Sequence, residues 1–184
     1  TGWYTLSLHD ALPILRATIA RLRNDSASAR THLDRLASID GLNHFQRFER
    51  HLLAPQDESA RRDFLSGVRN EMPHETFLEL AAWYGSVGRT ADARRVLALA
   101  PGATEVLYWR AWLAALENDA EAATLLREAE AASPEMVFPF RAESLDVFEW
   151  AAQKAPGWKA KYYLALVRWE IGRASCRERV YHPV

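Results

Sequence analysis

The chain has almost no cysteine: among its 184 residues only Cys176 carries a thiol. A lone thiol closes no intrachain disulfide and builds no cysteine–zinc site, so neither staple is open to the fold. Long apolar runs are missing too, and no stretch reaches the ~20 residues that a membrane-spanning helix needs. Charge of one sign is not in excess, because 23 basic and 24 acidic residues leave a net charge of −1. That balance gives no electrostatic footprint for nucleic acid or for an anionic membrane surface. Strand-like alternation is scarce, and no glycine-rich phosphate loop occurs. What is present is 49% hydrophobic and 26% charged, dominated by alanine, leucine, arginine and glutamate. This is the composition of packed helices and predicts an all-α fold.

The stretch from Glu75 to Ala100 organises the rest. It predicts two helices folded back on each other, Glu75–Val87 and Thr90–Leu99. Phe77, Leu80, Ala81 and Tyr84 recur at helical spacing. Pro73 stands where proline is tolerated at a helix start, and Gly88 where a left-handed residue ends one. Thr90 is the expected N-cap of the second helix. Ala81 and Ala93 are expected to face each other, the small residues letting the helices approach. Leu80, Ala81, Tyr84, Gly88, Ala93, Leu97 and Ala100 resemble the defining positions of a tetratricopeptide hairpin. An isolated hairpin in another kind of bundle is the alternative.

The two tips read differently. Thr5–Ile14 (TLSLHDALPI) is encoded by ACT CTT TCC CTA CAC GAC GCT CTT CCG ATC. The opposite strand, read from ATC GGA AGA GCG TCG TGT AGG, encodes the start of Ile171–Val180 (IGRASCRERV). That DNA is similar to a standard short-read sequencing adapter. Residues 1–14 and 171–184 are therefore expected to be adapter-derived and are set aside from the fold argument. Removing Asp10, Arg173, Arg177, Glu178 and Arg179 leaves 20 basic and 22 acidic residues.

Residues 15–72 are expected to form an N-terminal helical array, 73–134 two hairpins, and 135–170 a further, truncated helical pair. In the first segment Ser26 or Ser28, Asn43 and Asp57 are candidate N-caps. Apolar stripes run through Leu33, Leu36 and Ile39, then Phe45, Phe48, Leu52 and Leu53, then Phe64, Leu65 and Val68. His44 and His51 lie two turns apart on one helix face, so a metal site is conceivable. No carboxylate completes an HExxH spacing, and Leu78 replaces the second histidine after His74-Glu75. Packing or surface roles are expected for these side chains, and a solvated face for Glu49 and Arg50.

Beyond the central hairpin, Thr104 is expected to cap a helix reaching Leu116, followed by a second from Asp119 to Ala132. Ala122, Leu126, Ala129 and Pro134 again match the second half of a repeat. Arg110 stands where a small residue is usual, with Ala111 one position away to serve instead. Phe138-Pro139-Phe140-Arg141 cannot continue a helix through Pro139 and reads as a connector pinned by the two phenylalanines. Helices follow at Ala142–Gln153, with Leu145, Phe148 and Trp150, and at Trp158–Glu170, with Tyr162, Leu164, Ala165 and Trp169. The repeat rule leaves one apolar face of the last helix without its natural cover. Trp109, Trp112, Trp150, Trp158 and Trp169 suit either gap-filling between helices, the favoured role, or an aromatic sugar platform.

Three runs carry a further likeness: IDGLNHFQRFERHLL, NEMPHETFLELAAWYGSVGR and SPEMVFPFRAESLDVFEWAAQKAPGWKAKYYLALVRW. Through them the chain resembles the helical-repeat region of large bacterial tetratricopeptide proteins. Those proteins carry an N-terminal domain of unknown function with a galactose-mutarotase-like β-sandwich. The resemblance implies a right-handed antiparallel helix-hairpin α-solenoid and a carbohydrate-linked setting. It brings no catalytic residue, since a sugar site would lie in the sandwich.

Two functions compete. One is a non-catalytic scaffold whose concave row faces a protein, a peptide or the parent's own sandwich: Glu75, Leu78 and Ala82; Thr104, Leu107 and Ala111; Lys159, Tyr162 and Leu166. Its mixed, mostly apolar character suits another domain or a peptide better than a nucleic acid, and no membrane partner is evident in this segment. The other is a helical appendage of a carbohydrate-active enzyme. No nucleophile–base pair, metal cluster or cofactor motif is evident in the sequence, so no cofactor and no enzyme activity are expected of this segment.

Overall fold

The computed structural model describes residues 8–181, with side chains described for residues 12–173. Among the described residues the protein is all-helical, with ten α-helices and no strand. These are α1 (Leu8–Leu22), α2 (Ser26–Ile39), α3 (His44–Leu53), α4 (Glu58–Gly67) and α5 (Pro73–Ser86). They continue as α6 (Thr90–Ala98), α7 (Thr104–Leu116), α8 (Ala122–Ala131), α9 (Ser144–Lys154) and α10 (Lys159–Tyr181). The chain divides into two compact units, Thr1–Thr76 and Phe77–Val184.

In the first unit α1 packs on α2, α3 packs on both, and α4 on α3. Ile14, Ala17, Leu33, Leu36, Phe48 and Phe64 form its core. Phe48 and Phe64 meet with ring centroids 5.2 Å apart. Asn43 and Asp57 cap α3 and α4 as their side-chain chemistry predicts, accepting from Gln46 N at 3.0 Å and Ser59 N at 2.8 Å. The cap of α2 is neither Ser26 nor Ser28 but Asp25, whose carboxylate accepts from Ser28 N at 3.0 Å. Asp25 follows directly on Asn24, whose φ of 59° closes α1.

In the second unit α8 and α9 pack on α7, α6 packs on α7, and α10 packs on α9. Tyr84, Tyr108, Trp109, Phe148 and Tyr163 are its largest buried side chains. Ala81, Ala93, Ala111 and Ala129 are each fully buried. Gly88, at φ 72°, ends α5 in the left-handed conformation expected of it. Gly88 N bonds Gly85 O at 3.0 Å, and Arg89 N bonds Tyr84 O at 2.7 Å. This bond pair is a Schellman closure, which satisfies carbonyls that the helix end would otherwise orphan. The same pair of bonds recurs at Asn24 in the first unit and at Asn118, φ 56°, after α7. Asparagine tolerates the left-handed region better than other side chains, so it stands after α1 and α7 where glycine stands after α5.

Thr90 and Thr104 are not caps. Each is the first residue of its helix, behind Arg89 and Ala103, which make no side-chain cap bond. α8 begins at Ala122, after a turn in which Asp119 Oδ1 accepts from Glu121 N at 3.0 Å. The connector at residues 138–141 is seated by its proline: Pro139 is buried, whereas Phe138 and Phe140 are exposed. α10 turns Ala160, Tyr163 and Val167 inward, leaving Tyr162, Ala165 and Trp169 outside. Both tips are entered by helices. α1 runs through Ile14, which is fully buried, and α10 runs on to Tyr181, while residues 1–7 and 182–184 lie outside the described set.

Candidate functional site

Eight of the nine residues expected to form a concave row lie in the second unit, and Glu75 lies in the first. Their exposures differ sharply. Leu78, Thr104 and Ala111 are buried, while Glu75, Ala82, Leu107, Lys159 and Leu166 are half-buried. Tyr162 is the most open, at 46%. Three of the polar members are engaged within the chain, Glu75 lying 3.5 Å from His74 Nε2. Thr104 Oγ1 donates to Ser133 O at 2.7 Å. Lys159 Nζ donates to Glu130 O and Ala132 O, so its charge sits on the carbonyl end of α8. A cation there complements the helix dipole.

Around these residues the second unit holds a buried polar cluster that sequence reasoning missed. Trp109 Nε1 donates to Ser144 Oγ at 3.1 Å, and Ser144 Oγ donates to Glu105 Oε1 at 2.9 Å. Glu105 and Ser144 are 3% and 0% exposed, so α7 grips the first residue of α9 through a relay shielded from water. One turn further along α7, the Tyr108 hydroxyl donates to Glu130 Oε1 at 2.5 Å. Gly157 leaves room for that carboxylate, because a Cβ there would collide with Glu130 Oε2. Tyr163 closes the cluster, with its buried hydroxyl lacking a hydrogen-bond partner in the protein. Burial first, then the Glu130 hydrogen bond, pushes the Tyr108 phenol far above its ordinary range. Burial also raises the Tyr163 phenol, helped by Tyr162, Glu130 and Glu105. Both phenols are thus held neutral, which is the behaviour of a structural lock and the reverse of an activated general base.

The first unit has its own buried charge. Glu49 is no solvated residue: it is fully buried, accepting from Arg21 Nε at 2.7 Å and Thr18 Oγ1 at 2.9 Å. Its partners lie on α1, about thirty residues away in sequence, where no local pattern reveals them. Arg50 does face outward, pairing with Asp34 at 2.5 Å. His51 lies beside Phe48, and burial, then Arg61, lowers its imidazole pKa against the opposing pull of Glu58. No group of three or more His, Cys, Asp or Glu that could hold a metal occurs among the described residues, so His44 and His51 gain no third ligand.

The five tryptophans divide. Trp109 fills a gap, as favoured, at 2% exposure, and Trp112 and Trp150 are half-buried. Trp158 and Trp169 fill nothing, at 59% and 64%. Arg110 lines a shallow cavity of about 250 Å³ with Arg94, Arg95, Ala98, Glu121 and Leu125, while Ala111 occupies the small buried position beside it. Two of its three arginines are engaged within the chain, Arg94 at 2.6 Å by both Glu117 and Asp119, and Arg95 at 2.9 Å by Asp92. Among the described residues no helix is long and apolar enough to cross a membrane. Comparison with protein-family models, curated proteins and solved structures finds no match to this chain.

Proposed function

We propose that this chain is a non-catalytic helical-repeat scaffold, a tetratricopeptide-like α-solenoid segment of a larger bacterial protein that engages a protein, a peptide or a neighbouring domain. The observation that carries this is the recurrence of one local device. Helices α5 and α7 both end in a Schellman closure, at Gly88 and Asn118, and the helices around them bury Ala81, Ala93, Ala111 and Ala129. Small buried residues beside a repeated turn are what nested helix pairs require. The polar clusters, committed to internal bonds, favour binding over chemistry. A helical appendage of a carbohydrate-active enzyme is the second reading, and it rests on the sequence resemblance alone.

The architecture is tested by pairing Ala81→Cys with Ala93→Cys in a Cys176→Ser background. Helices nested at these alanines bring the two Cα atoms within disulfide range, roughly 4.4–6.8 Å. Failure to oxidise under conditions where the chain stays folded removes the nested hairpin. The function is tested once the parent gene is assembled from adapter-free reads. Leu107→Glu should weaken capture of the parent's remaining domain without lowering helicity. Unchanged capture removes the row.

A further inference from the structure

α10 carries a narrow apolar seam on its outward face. Trp158 stands just ahead of the helix, its carbonyl accepting from Tyr162 N at 2.9 Å, and so shares the helical register. At about 100° per residue, Trp158, Tyr162, Ala165 and Trp169 fall within an arc of roughly 60°. Their 4-3-4 spacing is that of a helix–helix seam, in which alternate positions insert between side chains of a facing helix. The three aromatic members are 59%, 46% and 64% exposed. The opposite face, Ala160, Tyr163 and Val167, is buried in the unit.

The carboxylates that bound this seam are already paired, Glu149 with Arg168 and Glu170 with Arg173. Residues 150–169 contain no aspartate or glutamate, and they hold all three lysines of the chain, Lys154, Lys159 and Lys161, together with Arg168. Lys159 is turned inward onto α8. Arg168 shares its charge with Glu149 at 2.9 Å, whereas Lys154 and Lys161 are exposed and make no ion pair among the described residues.

A second copy of the chain is a poor occupant. Elsewhere among the described residues, exposed large apolar side chains repeat at helical spacing along α1, at Leu12, Leu15, Ile19 and Leu22. Arg16 and Arg23 lie exposed on that same face, so either seam would meet cations with cations. An anionic bilayer suits the seam less well than a helix, because an interfacial helix needs a broad apolar face to embed.

We propose that the α10 seam docks an acidic amphipathic helix of another protein, with apolar anchors set between Trp158 and Trp169 and carboxylates facing Lys161. This goes beyond the concave row and stands independently of it.

The test titrates the full chain with a synthetic three-heptad helix bearing leucine at its seam positions and glutamate on the flanks. A lysine-flanked twin is the control, and tryptophan emission is the readout. The acidic peptide should bind saturably, weaken as salt rises, and lose at least about tenfold in affinity with Trp169→Glu or with Lys161→Glu. Both substitutions are on exposed side chains, and an unchanged melt confirms the fold. Lys161→Glu should also improve binding of the lysine-flanked twin. Equal binding of the two peptides, or binding of neither, overturns the proposal. So does a dimer in light scattering that Trp169→Glu dissolves, or phosphatidylserine-vesicle binding that the same change abolishes.

Discussion

Tyr108 and Tyr163 pack edge to face with ring centroids 5.8 Å apart, yet their hydroxyls differ in kind. The Tyr108 hydroxyl donates to Glu130 at 2.5 Å, whereas the Tyr163 hydroxyl, equally buried, meets no partner in the protein. Removing either oxygen leaves an aromatic ring of nearly the same shape, so the two phenylalanine variants isolate the hydrogen bond from the packing. Tyr108→Phe should destabilise by about 1.5–3 kcal/mol, the range for a bond to a charged acceptor. Tyr163→Phe should be neutral or stabilising, since it removes a buried unsatisfied group. Urea titrations of both would show it; equal losses would mean that the rings alone matter.

The same pair sets the alkaline limit of stability. Both phenols are raised above their ordinary value of 10.0 by burial. A group whose folded pKa exceeds its unfolded one contributes stability that is complete below the unfolded value and is lost as pH rises beyond it. Stability should therefore fall above about pH 10, where unfolded tyrosine releases a proton that the folded chain retains. Tyr108→Phe should flatten that fall. A slope unchanged by the substitution would exclude Tyr108 as its source.

Glu49 and Arg21 predict a large effect in the first unit. The carboxylate is fully buried and the guanidinium nearly so. Arg21→Met leaves Glu49 buried without its cation, which should cost about 3–5 kcal/mol. Added salt should restore little, because buried pairs are weakly screened. A loss below about 1 kcal/mol, the value of an exposed ion pair, would contradict this assignment.

The turn residues give opposite signs for chemically similar changes. Gly88→Ala meets no atom within 4 Å, so its cost is purely that of the left-handed backbone, about 1–2 kcal/mol. Asn118→Gly relieves that same strain after α7 and should be neutral or mildly stabilising. Thr90→Ala should change the melting temperature little, in contrast to the ~1 kcal/mol expected of a true cap. Thermal melts of the three variants, read together, test the turn assignment.

Short-range chemistry determined much of this protein from sequence. Asn43, Asp57 and Gly88 mark helix ends through bonds at residues no more than five positions apart, Pro73 opens α5 without needing a donor, and α7 ends at Leu116 as its sequence predicts. Cap identity shifted by one residue at three helices, where Asp25, Arg89 and Ala103 precede the expected Ser26, Thr90 and Thr104. Other assignments rested on the tertiary structure. Glu49 reads as a surface residue until Thr18 and Arg21 are brought to it, and Ser144 is unremarkable until Glu105 and Trp109 enclose it, 39 and 35 residues away. α10 carries aromatic side chains on both faces, so its hydrophobic pattern had two solutions. Packing against α9 selected Tyr163 for the interior and left Tyr162 outside, because burial depends on which neighbour a helix meets, and no local spacing encodes that neighbour.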